Sequence, residues 1–198
     1  MSNMIKIDSI SDLPTSSQLQ AEIKRRKHHK NYFKMLRSTV ASLIVVAAIA
    51  VLISMLFLPI LKLTGTSMTP TLEHEEFIVC NKQGSFESGD VVAFYFNNKI
   101  LLKRVIGTAG DVIDIKDDGT VFVNGEELYE PYLNEKALGE CDIELPYQVP
   151  ESRIFVMGDH RLTSVDSRTT VVGCIAEEYI IGKVIFRMWP WEKIGTIE

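Results

Sequence analysis

The chain is 198 residues long with a net charge of −5, which leaves room for one ordinary domain and a short additional segment. The charge is divided unevenly: residues 1–61 contain eight Lys or Arg and three Asp or Glu, a net +5, whereas residues 62–198 contain thirteen and twenty-three, a net −10. The larger, acidic part is poorly suited to nucleic acid, which needs a basic footprint, so no nucleic-acid partner is expected.

Residues 1–37 form a basic segment whose positive charges are concentrated between Lys24 and Arg37. One interpretation is an arm that binds nucleic acid. The run ends directly at an apolar stretch, however, which favours the basic flank of a membrane span. Residues 24–37 are expected to continue the helix of that span into the cytoplasm.

The apolar stretch covers residues 38–61 without a charged residue. About 20 apolar residues suffice for a helix to cross the hydrocarbon core, so the stretch predicts a transmembrane anchor, with Pro59 near its outer end. The alternative is a cleaved signal peptide, but its apolar region is only about 7–15 residues long. Because Lys and Arg stay on the cytoplasmic side, residues 1–37 are predicted to be cytoplasmic and residues 62–198 extracytoplasmic, in a single-pass protein of the cell membrane.

Beyond the span, the sequence changes to short β-branched and aromatic runs separated by turn residues. Clear amphipathic helices are scarce, although 163–171 or 176–179 could hold a short one. The predicted fold class is mainly β, an antiparallel β domain behind one N-terminal transmembrane helix. The predicted strands are 77–80, 90–96, 100–106, 112–115, 121–123, 154–157 and 180–188, with turns at Asn97-Asn98, 117–119 and Asn124-Gly125.

The three cysteines are Cys80, Cys141 and Cys174. Their spacing has no metal-like pattern, and the odd number leaves at least one of them without a partner in the chain. A disulfide between Cys141 and Cys174 is compatible with an extracytoplasmic location, but the sequence does not establish it.

Ser67 and Lys103 stand out as a candidate catalytic pair. Ser67 lies just outside the apolar span, and Lys103 lies on a predicted strand between apolar neighbours. A serine and a lysine can act as nucleophile and general base without histidine, provided that the lysine is neutral. Burial would lower the lysine pKa and supply the neutral form. The alternative is a solvated strand lysine, and the spacing alone does not decide between the two.

Four short segments beyond the span carry a more specific signal. They are Ser67-Met68-Thr69-Pro70-Thr71-Leu72, Ser88-Gly89-Asp90-Val91-Val92, Lys103-Arg104-Val105-Ile106-Gly107 continuing to Gly110-Asp111, and Gly158-Asp159-His160-Arg161 continuing to Ser164, Asp166, Ser167 and Arg168. Each segment is weak alone. In this order, behind an N-terminal span, they resemble the bacterial type I signal peptidases, which are Ser-Lys serine proteases, and the resemblance covers most of residues 62–198.

The resemblance implies a role for each matching residue of the candidate dyad. Ser67 corresponds to the nucleophile and Lys103 to the general base. Ser164 corresponds to a serine that hydrogen-bonds the lysine and orients it, the alternative being an ordinary turn serine.

The resemblance also implies supporting residues, with structural roles expected for the charged ones. Asp166 is expected to pair with Arg168, and Asp159 with Arg104. Thr66, Met68 and Pro70 are expected to border the substrate, with Met68 packed beneath it and Pro70 fixing the turn after the nucleophile.

Two positions depart from the family pattern. Some members have a serine two residues before the nucleophile that helps to hold the oxyanion, and this chain has Gly65 there. The Ser67 N–H remains, and Thr64 or Thr66 could add a donor. The second departure is His160, where the family usually has asparagine. The branch that uses a histidine base places it at the lysine position, so His160 is expected to be a substituted loop residue.

The resemblance implies a membrane-anchored endopeptidase that removes signal peptides from exported preproteins, without a metal or an organic cofactor. The substrate would bind as an extended strand, with shallow pockets that accept Ala-x-Ala before the cut. The expected partners are therefore secretory signal peptides and membrane lipid. Trp189 and Trp191 either touch the bilayer interface or belong to a strand packed in the core.

Two other classes of protein share parts of this pattern. A Ser-Lys autoprotease of the repressor type has the dyad and a β fold, but it needs a DNA-binding domain where this chain has an apolar span. A silent, anchored β module that holds a secretion partner would not need Ser67, Lys103 and Ser164 together. Both alternatives are weaker than the peptidase.

Overall fold

A computed structural model of the protein describes residues 15–82 and 84–197. The chain consists of two units, with the boundary between Leu52 and Ile53. The described part of the first unit is helical, and all the described strands belong to the second. The first fourteen residues of the predicted basic segment lie outside the described residues.

A single long helix, α1, runs over Ser16–Phe57. Thr15 caps its start, because its backbone N–H and its hydroxyl both donate to Gln18 Oε1, at 3.0 and 2.9 Å. The 42 residues are about twice the number needed to cross a hydrocarbon core, and by length and composition the helix is a candidate span. The predicted continuation of the helix through 24–37 is confirmed, and the helix ends two residues before Pro59.

The second unit is built from two antiparallel sheets. Its strands are β1 (Ile60–Lys62), β2 (Phe77–Asn81), β3 (Val91–Phe96), β4 (Lys99–Gly107), β5 (Val112–Ile115), β6 (Val121–Val123), β7 (Glu126–Glu127), β8 (Tyr147–Gln148), β9 (Arg153–Met157), β10 (Ile175–Ala176), β11 (Ile180–Trp189) and β12 (Gly195–Thr196). The larger sheet has the order β1-β2-β11-β3-β4-β9-β10, with β12 paired to β11, and the smaller sheet has the order β7-β6-β5-β8. The predicted mainly β, antiparallel fold is confirmed.

All seven predicted strands are present, with bounds that differ by at most one residue from the predicted ones. The predicted turns at Asn97-Asn98 and Asn124-Gly125 connect hairpins, and all four residues have positive φ angles between 45° and 86°. This mirror-image turn geometry matches the twist of paired strands.

The sequence missed five strands, each of only two or three residues and without the β-branched and aromatic run that identified the three-residue strand 121–123. The short helix expected in 163–171 or 176–179 is reduced to a single 3₁₀ turn at Glu177–Tyr179. Irregular turns occupy the first of these ranges.

One of three apolar clusters lies beneath the segment that follows Ser67. Met68 and Leu72 are 1% and 0% exposed and pack with side chains of β2, β3, β4 and β11. The Leu72 N–H donates to the Met68 carbonyl at 2.9 Å, so both side chains leave the same short turn. Ser67 is therefore anchored to the large sheet through the residue that follows it.

The disulfide that the sequence left open is not formed, because Cys80, Cys141 and Cys174 are all free thiols. Cys80 and Cys174 are buried, and burial raises the pKa of the Cys80 thiol to about 12 and that of Cys174 to about 11. These two thiols are side chains of the core.

Candidate active site

The side chains of Ser67 and Lys103 meet across 36 residues of sequence. Lys103 Nζ donates a hydrogen bond to Ser67 Oγ at 2.7 Å. Lys103 lies in β4 opposite Val92 of β3 and is 3% exposed, whereas Ser67 lies in the turn after β1 and is partly exposed. Solvent and substrate thus reach the hydroxyl, while the amine is enclosed by protein.

Burial decides the protonation of Lys103. Loss of hydration is the largest influence and lowers the pKa of the lysine from 10.5 to about 8. The carboxylate of Asp166 opposes this shift, and Arg168 reinforces it. The solvated strand lysine considered in the sequence analysis is therefore not what the structure contains, and a sizeable neutral fraction exists near pH 8.

Arg104, the next residue of β4, is engaged elsewhere. Its guanidinium makes a two-pronged ion pair with Asp159, at 3.0 and 2.8 Å, and both side chains are at most 2% exposed. The guanidinium also donates to the Gly89 carbonyl at 2.7 Å and lies over the Tyr132 ring at 3.8 Å. The pair joins β4 to the loop after β9 and holds that loop beside the dyad.

Asp166 and Arg168 form a second buried ion pair, with two contacts of 2.8 Å and both side chains fully buried. Asp166 also accepts the Gly158 N–H at 2.9 Å, and Arg168 donates to the Arg161 carbonyl at 3.0 Å. The pair therefore fixes the backbone of residues 158–168, the loop that carries His160 and Ser164.

The predicted hydrogen bond from Ser164 to Lys103 is not made. Ser164 is 2% exposed, and its hydroxyl has no hydrogen-bond partner among the described residues. The hydroxyl packs against Gly158, where an added Cβ would lie 2.2 Å from Ser164 Oγ and 2.6 Å from the Ser67 carbonyl oxygen. Only glycine fits at position 158, and it lets Ser164 approach the dyad.

The three residues expected to border the substrate differ in exposure. Met68 is buried beneath the nucleophile, whereas Thr66 and Pro70 are exposed on either side of it. The Ser67 carbonyl accepts the His160 N–H at 3.1 Å, so His160 contacts the nucleophile through its backbone. Its imidazole Nδ1 lies 2.8 Å from the Thr163 hydroxyl instead of reaching Ser67.

Gly65, the first departure from the family pattern, adopts a φ of +109°, a region that favours glycine. Its N–H donates to His74 Nδ1 at 3.1 Å. Apart from its chain neighbours, no atom lies within 4 Å of an added Cβ, so the space beside Gly65 is open.

Several contacts that support the site have no signal in the sequence. Glu130 and Arg161 form a third ion pair, with both side chains at most 1% exposed, and the Tyr132 hydroxyl donates to Glu130 at 2.9 Å. The Thr71 hydroxyl donates to Asp159. Glu130 and Tyr132 lie on the irregular segment between β7 and β8, where no periodicity predicts burial.

A narrow cleft of about 70 Å³ begins at Ser67 and Met68 and runs between residues 61–65 and residues 100–102. On this stretch β4 pairs with β3 only, because its pairing with β9 starts at Arg104. The other edge of residues 100–102 therefore faces the cleft. Within 15–82 and 84–197, no cluster of His, Cys, Asp or Glu has the arrangement of a metal site.

The comparison with known families agrees with this arrangement, since the model of the family described as "Signal peptidase, peptidase S26" matches residues 36–189. The chain belongs to the signal peptidase family, peptidase S26. It is a serine peptidase that removes signal peptides from preproteins, and a Ser-Lys dyad is standard in this family. The family assignment favours the peptidase over the repressor-type autoprotease and the silent module.

Relatives from three bacteria match between half and about three quarters of the chain. Signal peptidase IB of Staphylococcus aureus is 40% identical over 149 residues, 65% of this chain and 76% of that protein. Signal peptidase I of Bacillus amyloliquefaciens is 38% identical over 167 residues, 77% of this chain and 85% of that protein. A crystal structure of a signal peptidase I from Enterococcus faecalis, 28% identical, covers 50% of this chain and 97% of its own, with a TM-score of 0.44.

Proposed function

We propose that Ser67 is the nucleophile and Lys103 the general base with which this peptidase cuts signal peptides. The observation that carries the proposal is the 2.7 Å hydrogen bond between Lys103 Nζ and Ser67 Oγ, with the lysine almost wholly buried. The lowered pKa of Lys103 makes neutral amine available, and a neutral amine accepts the serine proton as the hydroxyl attacks.

The reaction then proceeds in two stages on the same pair. Ser67 Oγ bonds to the scissile carbonyl carbon, Lys103 takes the serine proton, and the oxyanion rests on backbone N–H groups, including that of Ser67. Protonated Lys103 next donates to the leaving amine of the mature protein, and an ester remains on Ser67. Lys103 finally deprotonates a water that attacks the ester, which releases the signal peptide carboxylate and restores the hydroxyl.

The supporting residues act on the dyad by position. The Arg104–Asp159 and Asp166–Arg168 pairs hold β4 and the 158–168 loop together. The Ser164 hydroxyl is expected to accept a hydrogen bond from Lys103 when the amine becomes protonated. An unpaired buried hydroxyl has a strong tendency to form such a bond. Thr66 and Pro70 border the path of the substrate.

The substrate is proposed to add as a strand in the cleft beside residues 100–102. The exposed edge of β4 offers backbone groups on one side, and residues 61–65 close the other. A cleft of about 70 Å³ leaves little room for side chains, which favours alanine-sized residues before the cut.

For the membrane, we propose that α1 is the anchor, that the segment before residue 38 is cytoplasmic, and that the domain from residue 62 is extracytoplasmic. The seven basic residues between Lys24 and Arg37 support this orientation. A second contact with lipid is proposed for Trp189 and Trp191, which are 43% and 70% exposed and therefore not packed in the core.

Cleavage of a purified preprotein tests the dyad. Wild type, Ser67→Ala and Lys103→Ala are compared, and the N-terminus of the product is sequenced. Cutting after Ala-x-Ala that is lost in both variants supports the proposal. Cutting that survives Lys103→Ala assigns the base to another residue, and His160 is the next one to replace.

Tryptophan fluorescence tests the lipid contact, because Trp189 and Trp191 are the two tryptophans of the sequence. In vesicles that contain brominated lipid, their emission should be quenched relative to plain vesicles. Unchanged emission would contradict the lipid contact and leave the dyad untouched.

A further inference from the structure

A second cavity adjoins the nucleophile and has no part in the mechanism described so far. It measures about 220 Å³ and is lined by Thr69, Asn134, Glu135, Asp159, His160, Arg161 and Leu162. It shares no lining residue with the narrow cleft. Ser67 lies where the two cavities meet, because it lines the cleft and its carbonyl accepts the N–H of His160, which lines the second cavity.

We propose that this second cavity, called the exit pocket below, binds a side chain from the first two residues of the mature protein. The inference rests on the proposed function. A substrate whose carbonyl is attacked at Ser67, and whose residues before the cut fill the cleft, must leave the nucleophile away from that cleft. An extended chain advances about 3.3 Å per residue and turns alternate side chains to one face, so one of the first two residues faces the exit pocket.

The charge of the exit pocket is negative where a substrate can reach it. Asp159 and Arg161 are buried and each is neutralised, by Arg104 and Glu130 respectively. Glu135 is exposed and forms no ion pair with any described residue, while the neighbouring Lys136 pairs with Glu127 at 2.9 Å.

The pocket also offers the two kinds of contact that a long basic side chain uses. Leu162 is 57% exposed and presents an apolar surface to a methylene stem, and Glu135 presents a carboxylate to the charged end. We expect Lys or Arg to be favoured at one of the first two positions of the mature protein and Asp or Glu to be disfavoured. Because the exit pocket is larger than the cleft that holds the residues before the cut, it admits side chains that the cleft rejects.

The test uses the full-length protein in detergent and preprotein peptides with a constant Ala-x-Ala before the cut. The first and second mature positions are each varied among Lys, Gln and Glu, and a control series varies the sixth position, about 20 Å away. At one of the first two positions, kcat/KM for Lys should exceed that for Glu by about two- to fivefold, as for an exposed ion pair, and this ratio should shrink at high salt.

Glu135→Lys and Glu140→Lys change the net charge equally, so comparing them distinguishes an effect of the pocket from an effect of the domain's overall charge. Glu135→Lys should invert the Lys-to-Glu ratio, and Glu135→Gln should bring it to about one. Glu140→Lys, at an exposed position outside the pocket, should leave the ratio unchanged. Asn134→Trp, which fills the pocket, should slow peptides with large side chains at that position more than those with alanine.

The outcomes are distinct. A ratio that responds equally to Glu135→Lys and Glu140→Lys, or that is one in wild type, would overturn the exit pocket while cleavage itself upholds the proposed function. Failure of wild type to cut any peptide would overturn the proposed function, and the exit pocket with it.

Discussion

Replacing Lys103 with methionine is expected to abolish cleavage and to stabilise the protein at neutral pH. Burial lowers the pKa of Lys103 from 10.5 to about 8, and each pKa unit corresponds to about 1.4 kcal/mol. At pH 7, holding this amine protonated while it is 3% exposed therefore lowers the free energy of unfolding by about 3 kcal/mol. Methionine fills a similar volume without this charge.

The difference in stability between Lys103→Met and wild type depends on pH, because the lysine has different pKa values in the folded and unfolded chains. Below about pH 8 the lysine is protonated in both states, and the full difference between Lys103→Met and wild type is present. Between about pH 8 and 10.5 only the unfolded chain holds the proton, so the stability of wild type rises with pH relative to the variant. Near pH 10.5 and above, the two proteins should be nearly equal.

Urea unfolding of both proteins in the same detergent, at pH 7 and pH 10, measures this difference, and other titrating groups cancel in the comparison. A variant that is no more stable than wild type at pH 7 would refute the reasoning. It would mean that Asp166 and other partners compensate the buried charge fully.

The same pKa governs activity. The kcat/KM of wild type should rise about tenfold per pH unit up to about pH 8 and then level off, so that pH 7 retains about one tenth of the maximum. A rise of kcat/KM with pH that disappears in His160→Gln would assign the base to His160 instead.

Three further substitutions test the surroundings of the dyad. Gly158→Ala places a Cβ 2.2 Å from Ser164 Oγ and 2.6 Å from the Ser67 carbonyl oxygen, so kcat should fall by about 100-fold or more; unaltered turnover would contradict this crowding. Ser164→Ala removes a hydroxyl without a partner among the described residues, so the free energy of unfolding should stay the same or rise by about 1–3 kcal/mol, and a fall would show an unseen bond. Asp159→Asn leaves Arg104 buried without its counter-charge and should cost about 3–5 kcal/mol in urea unfolding; the exposed pair of Lys62 and Glu75 gives the matched control, since Glu75→Gln should have no measurable effect.

Much of the fold could be read from local patterns. The uncharged run over 38–61 predicts a helix, and β-branched runs bounded by Asn, Asp and Gly predict the long strands and their hairpins, because both signals repeat within a few residues. Five other strands of two or three residues escaped prediction, since they exist only where a neighbouring strand offers backbone partners. Whether Cys141 and Cys174 form a disulfide could not be decided from the sequence for a similar reason, because spacing in sequence carries no information about distance in the fold.

The candidate site was likewise predicted only in part. The motifs pointed to Ser67 and Lys103 and to the buried Arg104–Asp159 and Asp166–Arg168 pairs. They also predicted a Ser164–Lys103 hydrogen bond that is absent, and they did not reveal the buried Glu130–Arg161 pair. These contacts depend on how the irregular segment between β7 and β8 packs against the loop after β9, which no local pattern describes.

The sequence by itself determined that an apolar segment long enough to span a membrane precedes an antiparallel β domain with a serine and a lysine of the signal peptidase kind, because composition, periodicity and short motifs are properties of neighbouring residues. Only the tertiary structure decided that Lys103 is buried enough to have a pKa of about 8 and that Ser67 lies between a narrow cleft and a wider acidic pocket. Desolvation and cavities arise from atoms that are distant in sequence and adjacent in space, so they exist only once the sheets have packed.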